Sequence, residues 1–261
     1  MSWVARLGPV TTSDLSAPPV EVLGRRVDLP VRVRTAQAFT AMYAVPRGAA
    51  QEVIAASGLR VLPVLPGRAL ACLVFVRYVD NDLGPYDELG VAFLVAPHDR
   101  PAPEGVRGSW ASLRSGDAGV LIHQLPVDGE FTCAAGREIW GFPKQVGTFT
   151  TSLEGRSRRT SLELEGRRVA DFRVTRGLPL PAPGLGLALS AYSSLDGVTR
   201  VTRWEMAPEG VRSRPGGARL RLGDHPIADE LRSLGLPKRA LSTTTIANLA
   251  MTFGPATVLD L

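Results

Sequence analysis

Phe149-Thr150-Thr151-Ser152-Leu153, Ser161-Leu162-Glu163-Leu164-Glu165 and Val169-Ala170-Asp171-Phe172-Arg173-Val174-Thr175 follow one another, with Gly155 and Gly166 between them. In the middle run Leu162 and Leu164 alternate with Ser161, Glu163 and Glu165. That period of two is what a half-buried strand requires, because its successive side chains point to opposite faces. Short β-prone runs split by glycines read as an antiparallel meander.

The same pattern extends in both directions. Residues 184–190, 199–206 and 218–222 continue it toward the C-terminus, and residues 240–261 close the chain with an apolar stretch rich in Thr and Ser. Toward the N-terminus, residues 69–78, 89–96 and 120–125 read as buried strands. The first two are joined by the turn-rich Asp80-Asn81-Asp82-Leu83-Gly84-Pro85. Residues 47–57 read as a helix that Pro46 can open and Gly58 can stop. Residues 226–234 read as another, with Asp224 as N-cap and Gly235 past its end. Residues 97–115 read as a loop insertion, and residues 1–30, with four prolines, as an irregular arm. About ten short strands and two helices predict an α+β chain, mainly antiparallel β, with the helices at the periphery. No composition shift or repeat divides it, so residues 1–261 read as one domain.

Composition narrows the function. The chain has 261 residues, 44% hydrophobic and 21% charged, as a globular protein does. Net charge is +5, but pairs such as Arg25-Arg26, Arg158-Arg159 and Arg167-Arg168 are interleaved with acids and carry no aromatic stripe, so no nucleic-acid partner is expected. The longest apolar run, residues 69–76, is too short to span a bilayer, so no membrane partner is expected. Cys72 and Cys133 lack metal-ligand spacing and suit a reducing compartment, and residues 1–30 show no secretory pattern. The expected location is the cytoplasm. His98, His123 and His225 also lack metal spacing, and His123, alternating within an apolar strand, reads as a hydrogen-bonded core residue. Gly184-Leu185-Gly186 lacks the third glycine and the βαβ context of a dinucleotide site, and reads as a tight turn. No cofactor is expected.

Of 30 basic residues only Lys144 and Lys238 are lysines. Arginine keeps its proton at any working pH, whereas lysine can lose it. Lys238 reads as a surface charge. Lys144 ends Gly136-Arg137-Glu138-Ile139-Trp140-Gly141-Phe142-Pro143-Lys144, a turn or helical end broken by Gly141 and Pro143. Pro143 fixes the backbone before the lysine, and Trp140 and Phe142 supply apolar walls. A solvated lysine offers on the order of one free amine in 2,500 at pH 7, and apolar surroundings penalise the ammonium form. A free amine attacks ketones to give an iminium, an electron sink for bond changes next to the former carbonyl. The competing reading leaves Lys144 on the surface beside a strand.

Gly136-Arg137-Glu138 with Gly141-Phe142-Pro143-Lys144 resembles the signature of the acetoacetate decarboxylase superfamily. Leu83-Gly84-Pro85-Tyr86-Asp87-Glu88-Leu89-Gly90 resembles the segment carrying that family's active-site glutamate. Leu236-Pro237-Lys238 before the last strand is similar to its C-terminus, and His123 with Asp128 to the strand before the signature. The resemblance implies a conical β-barrel, a homo-oligomer, a Schiff-base role for Lys144 and a catalytic role for Glu88. Acetoacetate decarboxylase is itself the standard case of an activated lysine.

Three positions depart from the family pattern. Gln145 stands where decarboxylases carry a second lysine. An early-strand arginine falls on Ala36 or Gln37, with Arg32 and Arg34 nearby, and a second acid falls near Leu73. The expectation is an imine-forming lyase acting on a small keto acid by decarboxylation. Gln145, Tyr86, Trp140 and Phe142 are the expected substrate contacts. Two alternatives stand beside it: an aldolase–dehydratase joining pyruvate to an aldehyde, as some members of the superfamily do, and a non-catalytic small-molecule binding protein.

Overall fold

A computed structural model describes residues 15, 17–180 and 187–261. The Gly184-Leu185-Gly186 turn and the first fourteen residues lie outside the described residues. The strands are β1 (Ala17–Val22), β2 (Arg25–Leu29), β3 (Val31–Pro46), β4 (Arg68–Asn81), β5 (Tyr86–Val95), β6 (Gly119–Gln124), β7 (Thr148–Ser152), β8 (Ser157–Leu164), β9 (Arg167–Thr175), β10 (Leu178–Pro179), β11 (Leu187–Leu195), β12 (Val198–Glu209), β13 (Arg212–Pro215), β14 (Ala218–Leu222), β15 (Ser242–Ile246) and β16 (Asn248–Val258). The helices are α1 (Arg47–Val53), α2 (Gly105–Ser115), α3 (Glu130–Trp140) and α4 (Pro226–Ser233).

The strands β3-β16-β12-β11-β6-β5-β4 run side by side, and β4 pairs back onto β3, which closes a barrel. Every pair in that ring is antiparallel except β11 with β6. Strands β15, β13 and β10 extend the sheet beyond β3. The meander forms a separate antiparallel sheet, β14-β9-β8-β7. Alternation gives the barrel strands two apolar faces. Leu73 and Phe75 of β4, with Leu89 and Phe93 of β5, join a core that takes in Leu162 and Phe172 of the small sheet and Leu231 of α4. Val76 and Tyr78 of β4 face the other way, into a core with Ala135, Ile139 and Trp140 of α3.

The mainly antiparallel fold class stands, and several local expectations are corrected. Residues 17–29 are not irregular: β1 and β2 form a hairpin turning at Leu23-Gly24, both at positive φ. The segment expected to be a loop insertion contains α2, stopped by Gly116 in the left-handed region; its prolines and most of its polar turn residues precede the helix. Of the two readings of the signature, turn or helical end, the structure has the helical end: α3 runs to Trp140 and Gly141 stops it. The N-cap of α4 is His225, whose Nδ1 accepts from Ile227 N at 3.2 Å, and not Asp224. Helix α1 ends at Val53, a 3-10 turn follows over Ala55–Ser57, and Gly58 stops the chain at φ 70°. No helix among the described residues is long and apolar enough to cross a membrane.

Candidate active site

Tyr86 and Glu88 are two apart on β5 and therefore share a face. Register places Tyr78 of β4 opposite Tyr86 and Val76 opposite Glu88, all on the face toward α3. The Tyr78 and Tyr86 rings stack at 4.2 Å, and the Tyr78 hydroxyl donates to Glu88 Oε1 at 3.0 Å. On the opposite face the neighbouring pair, Arg77 and Asp87, forms a two-bond fork at 2.8 and 2.6 Å. The Asp87 N–H donates to Asp128 Oδ1 at 2.9 Å, so the backbone on the near side of Glu88 is clamped.

Lys144 arrives on the same face as Glu88, from the end of α3. Helix α3 ends because Gly141 takes φ 63°, which a glycine adopts without strain. The Gly141 N–H then bonds Arg137 O at 3.0 Å and the Phe142 N–H bonds Gly136 O at 3.0 Å. Pro143 follows, and the Lys144 N–H turns back onto Phe142 O at 2.7 Å. The chain next lies beside Val127, which bridges Glu88 on one side and Val146 on the other. That ladder carries Lys144 to Glu88. The stem of the lysine crosses α3 at Gly136, where a Cβ would come within 2.4 Å of Lys144 Cδ and 2.5 Å of Cε. No residue but glycine leaves that path open.

Lys144 Nζ lies 2.8 Å from Glu88 Oε2, and the two side chains are 4% and 7% exposed. The Tyr86 ring centroid is 5.0 Å from Nζ, within range of a cation–π contact. Burial, then the Glu88 charge, holds the Tyr78 and Tyr86 phenols well above their ordinary values, so both remain neutral and Tyr78 remains a donor. Burial also raises the Cys133 thiol, opposed by the charges of Lys144 and Arg137. The result is a buried amine in contact with one proton acceptor and one aromatic face.

The structure brings together Lys144, Glu88 and Tyr86. Trp140 and Phe142 are buried in a ring cluster with Trp204 and Phe253, at 4.9 to 6.1 Å between neighbouring centroids. Trp140 Nε1 also donates to Gly254 O at 2.8 Å, so these two side chains anchor the turn that delivers the lysine. Gln145 is not brought into the group. Its neighbour Lys144 points inward, and Gln145 is exposed. His123 is half-buried and bonded to Glu230 Oε2 at 2.9 Å, the satisfied histidine its pattern predicts.

The departures from the family pattern also take positions. Ala36 lies opposite Tyr78, on the site's face, and is buried, while Gln37 lies on the other. Arg34 is tied to Asp80 and Asp82 on the surface, and Arg32 is exposed. Leu73 faces the opposite core. Tyr78 is absent from the sequence reading of the site, and Gly136 stands there only as the first residue of the signature, without a role. Tyr78 becomes visible once the strands are paired about the Asp80–Pro85 turn, whereas the clearance Gly136 gives the lysine is seen only when α3 and Lys144 are placed together.

Lys238 is half-buried, and burial with the charge of Arg68 lowers its ammonium below the usual range. A limiting amount of acetic anhydride at neutral pH is therefore expected to acetylate Lys238 well before Lys144, read by peptide mass analysis. Equal labelling would contradict the enclosure of Lys144.

The chain belongs to the acetoacetate decarboxylase family, whose model matches residues 18–261, and is an acetoacetate decarboxylase-like enzyme. No curated protein matches it in sequence. Among solved structures it is similar to acetoacetate decarboxylase from Legionella pneumophila, at 20% identity and TM-score 0.63 over 88% of this chain and 87% of that one. A second acetoacetate decarboxylase structure gives 22% and 0.64, over 88% and 89%. The enduracididine biosynthesis enzyme MppR, complexed with the condensation product of pyruvate and imidazole 4-carboxaldehyde, gives 15% and 0.61, over 99% and 97%. At these identities the likeness establishes the fold.

Proposed function

We propose that the chain is an imine-forming lyase whose nucleophile is Lys144 and whose substrate is a small keto acid. The observation that carries this reading is the buried amine 2.8 Å from a single carboxylate. An ammonium cannot attack a carbonyl, and Glu88 is placed to take its proton. The free amine adds to the ketone, and the carbinolamine loses water, with Glu88 returning the proton to the departing oxygen. In decarboxylation the electrons of the breaking C–C bond flow into the iminium, carbon dioxide leaves and an enamine remains. Protonation of that enamine carbon and hydrolysis then release the ketone and restore Lys144. Tyr78 holds Glu88 in place, and Tyr86 forms the wall under the imine. Trp140 and Phe142 act through the turn they fix.

The aldolase–dehydratase reading starts from the same buried amine. The position opposite Tyr78 is Ala36, with Ala38 and Val76 on the same face, so the wall departs from the decarboxylase pattern at the early-strand arginine. In that chemistry the enamine of pyruvate attacks an aldehyde, and loss of water gives a conjugated product. As a family member the chain would act in the cytoplasm as a homo-oligomer of single-domain subunits.

Borohydride reduction in the presence of pyruvate or acetoacetate is expected to fix a mass adduct on Lys144. No adduct with any keto acid, or one on Lys238 alone, defeats the imine reading and leaves a binding protein. Once trapping succeeds, carbon dioxide released from a β-keto acid supports decarboxylation. A conjugated absorbance growing from pyruvate plus an aldehyde supports condensation.

A further inference from the structure

A second cluster of charged side chains lies away from Lys144, where the small sheet meets β3 and β15. Arg158 of β8 and Arg176, just beyond β9, converge on a cavity of about 140 Å³. Gln37, Leu153, Thr245 and Ile246 also line it, and none of its lining residues is acidic. Both arginines are half-buried. Elsewhere in this arginine-rich chain Arg34, Arg77, Arg159, Arg168 and Arg232 each hold a carboxylate within 3 Å. Arg158 and Arg176 are two of the arginines with no such partner among the described residues, and these two line one cavity. Glu209, beside the cavity-lining Gly210, is exposed and pairs with neither.

Arg158 donates one Nη1 bond to Gly155 O at 2.9 Å, with a longer one to Ser157 O at 3.4 Å, which leaves most of its five donors unspent. Burial, and then the charge of Arg176, both disfavour its cation. Two half-buried guanidiniums lining one cavity without a counter-charge form an arrangement that an oxyanion relieves. Each presents a planar fork suited to two-point contact with carboxylate or phosphate.

We propose that this cavity binds a small organic anion, whose carboxylate or phosphate oxygens bridge Arg158 and Arg176 while its apolar body lies on Leu153 and Ile246. The exposed Gln37 and the buried Thr245 add uncharged polar groups to the lining. The site shares no residue with the Lys144 pair, so the outcome of imine trapping does not bear on it.

Titration calorimetry of the full chain with benzoate and with phenyl phosphate tests the proposal and separates the two oxyanions. Saturable binding of at least one probe is expected, one per chain. Arg158→Gln and Arg176→Gln are each expected to weaken it about tenfold, the loss of one charge-assisted contact. Arg158→Lys, which keeps the charge but loses the fork, should fall between wild type and Arg158→Gln. Thermal unfolding without ligand should be unchanged or slightly raised in Arg158→Gln and Arg176→Gln, since each removes a repulsion and no ion pair, and unchanged in Arg158→Lys, which keeps the charge. A wild-type chain that binds neither probe, or variants that bind as tightly as wild type, would overturn the proposal.

Discussion

Lys144→Met is expected to abolish borohydride trapping with every keto acid and to reduce turnover by about 10⁴-fold or more, because no covalent intermediate can form without the amine. Loss of activity alone would be weak support, since the substitution also strips Glu88 of its cation in a buried site. Breaking a buried ion pair on one side costs about 3–5 kcal/mol, and the unfolding midpoint in denaturant should fall accordingly. The double variant Lys144→Met with Glu88→Gln separates the two effects. Tyr78 can still donate to the amide oxygen that Glu88→Gln supplies, and no charge is stranded, so much of the lost stability should return while trapping and turnover stay absent. If stability and activity returned together, the pair would be a structural bond and the chemistry would lie elsewhere. If Lys144→Met still trapped substrate, the amine would be Lys238 or the chain terminus.

What the sequence revealed of this molecule follows the range over which its physics acts. The meander was legible because Leu162 and Leu164 alternate with polar neighbours, and the strands it announced are those of the small sheet. Glu88 and Lys144 were singled out by their segments, yet their contact depends on the Val127 ladder, which joins three segments distant in the chain. The longest strand, β3, escaped because its sixteen residues mix Ala, Thr, Arg and Gln among the apolar positions, and its alternation slips at a bulge around Thr35. That slip changes which residues face the site: Val31 and Val33 before it, Ala36 and Ala38 after it. A reading by strict alternation loses the face at that point. Helix α2 is hidden by the prolines and glycines around its start, and the start of α3 by Gly129, which supplies no side-chain cap. Gln145 illustrates the opposite error. Its place next to the lysine in sequence suggested a place next to it in space, whereas adjacent residues in extended chain point apart.

Gly136→Ala is expected to slow imine formation about 100-fold in a chain that remains folded. The backbone at Gly136 is ordinary helix without positive φ, so alanine is conformationally acceptable there and favours the helix by up to about 1 kcal/mol. The new methyl would sit 2.4 Å from Lys144 Cδ and 2.5 Å from Cε, well inside van der Waals contact. An exposed lysine would swing aside at little cost. This one is fixed at its far end by Glu88 and at its backbone by the turn after Pro143, so relief requires the amine to shift relative to Glu88 and Tyr86. A displacement of about 1 Å at a reacting group is enough for a loss of this size. The trapping rate and the unfolding midpoint, measured on one preparation, check it. A slower rate at an unchanged or higher midpoint assigns Gly136 to positioning the nucleophile. A rate equal to wild type would show that the clearance at Gly136 does not set the reach of the Lys144 amine.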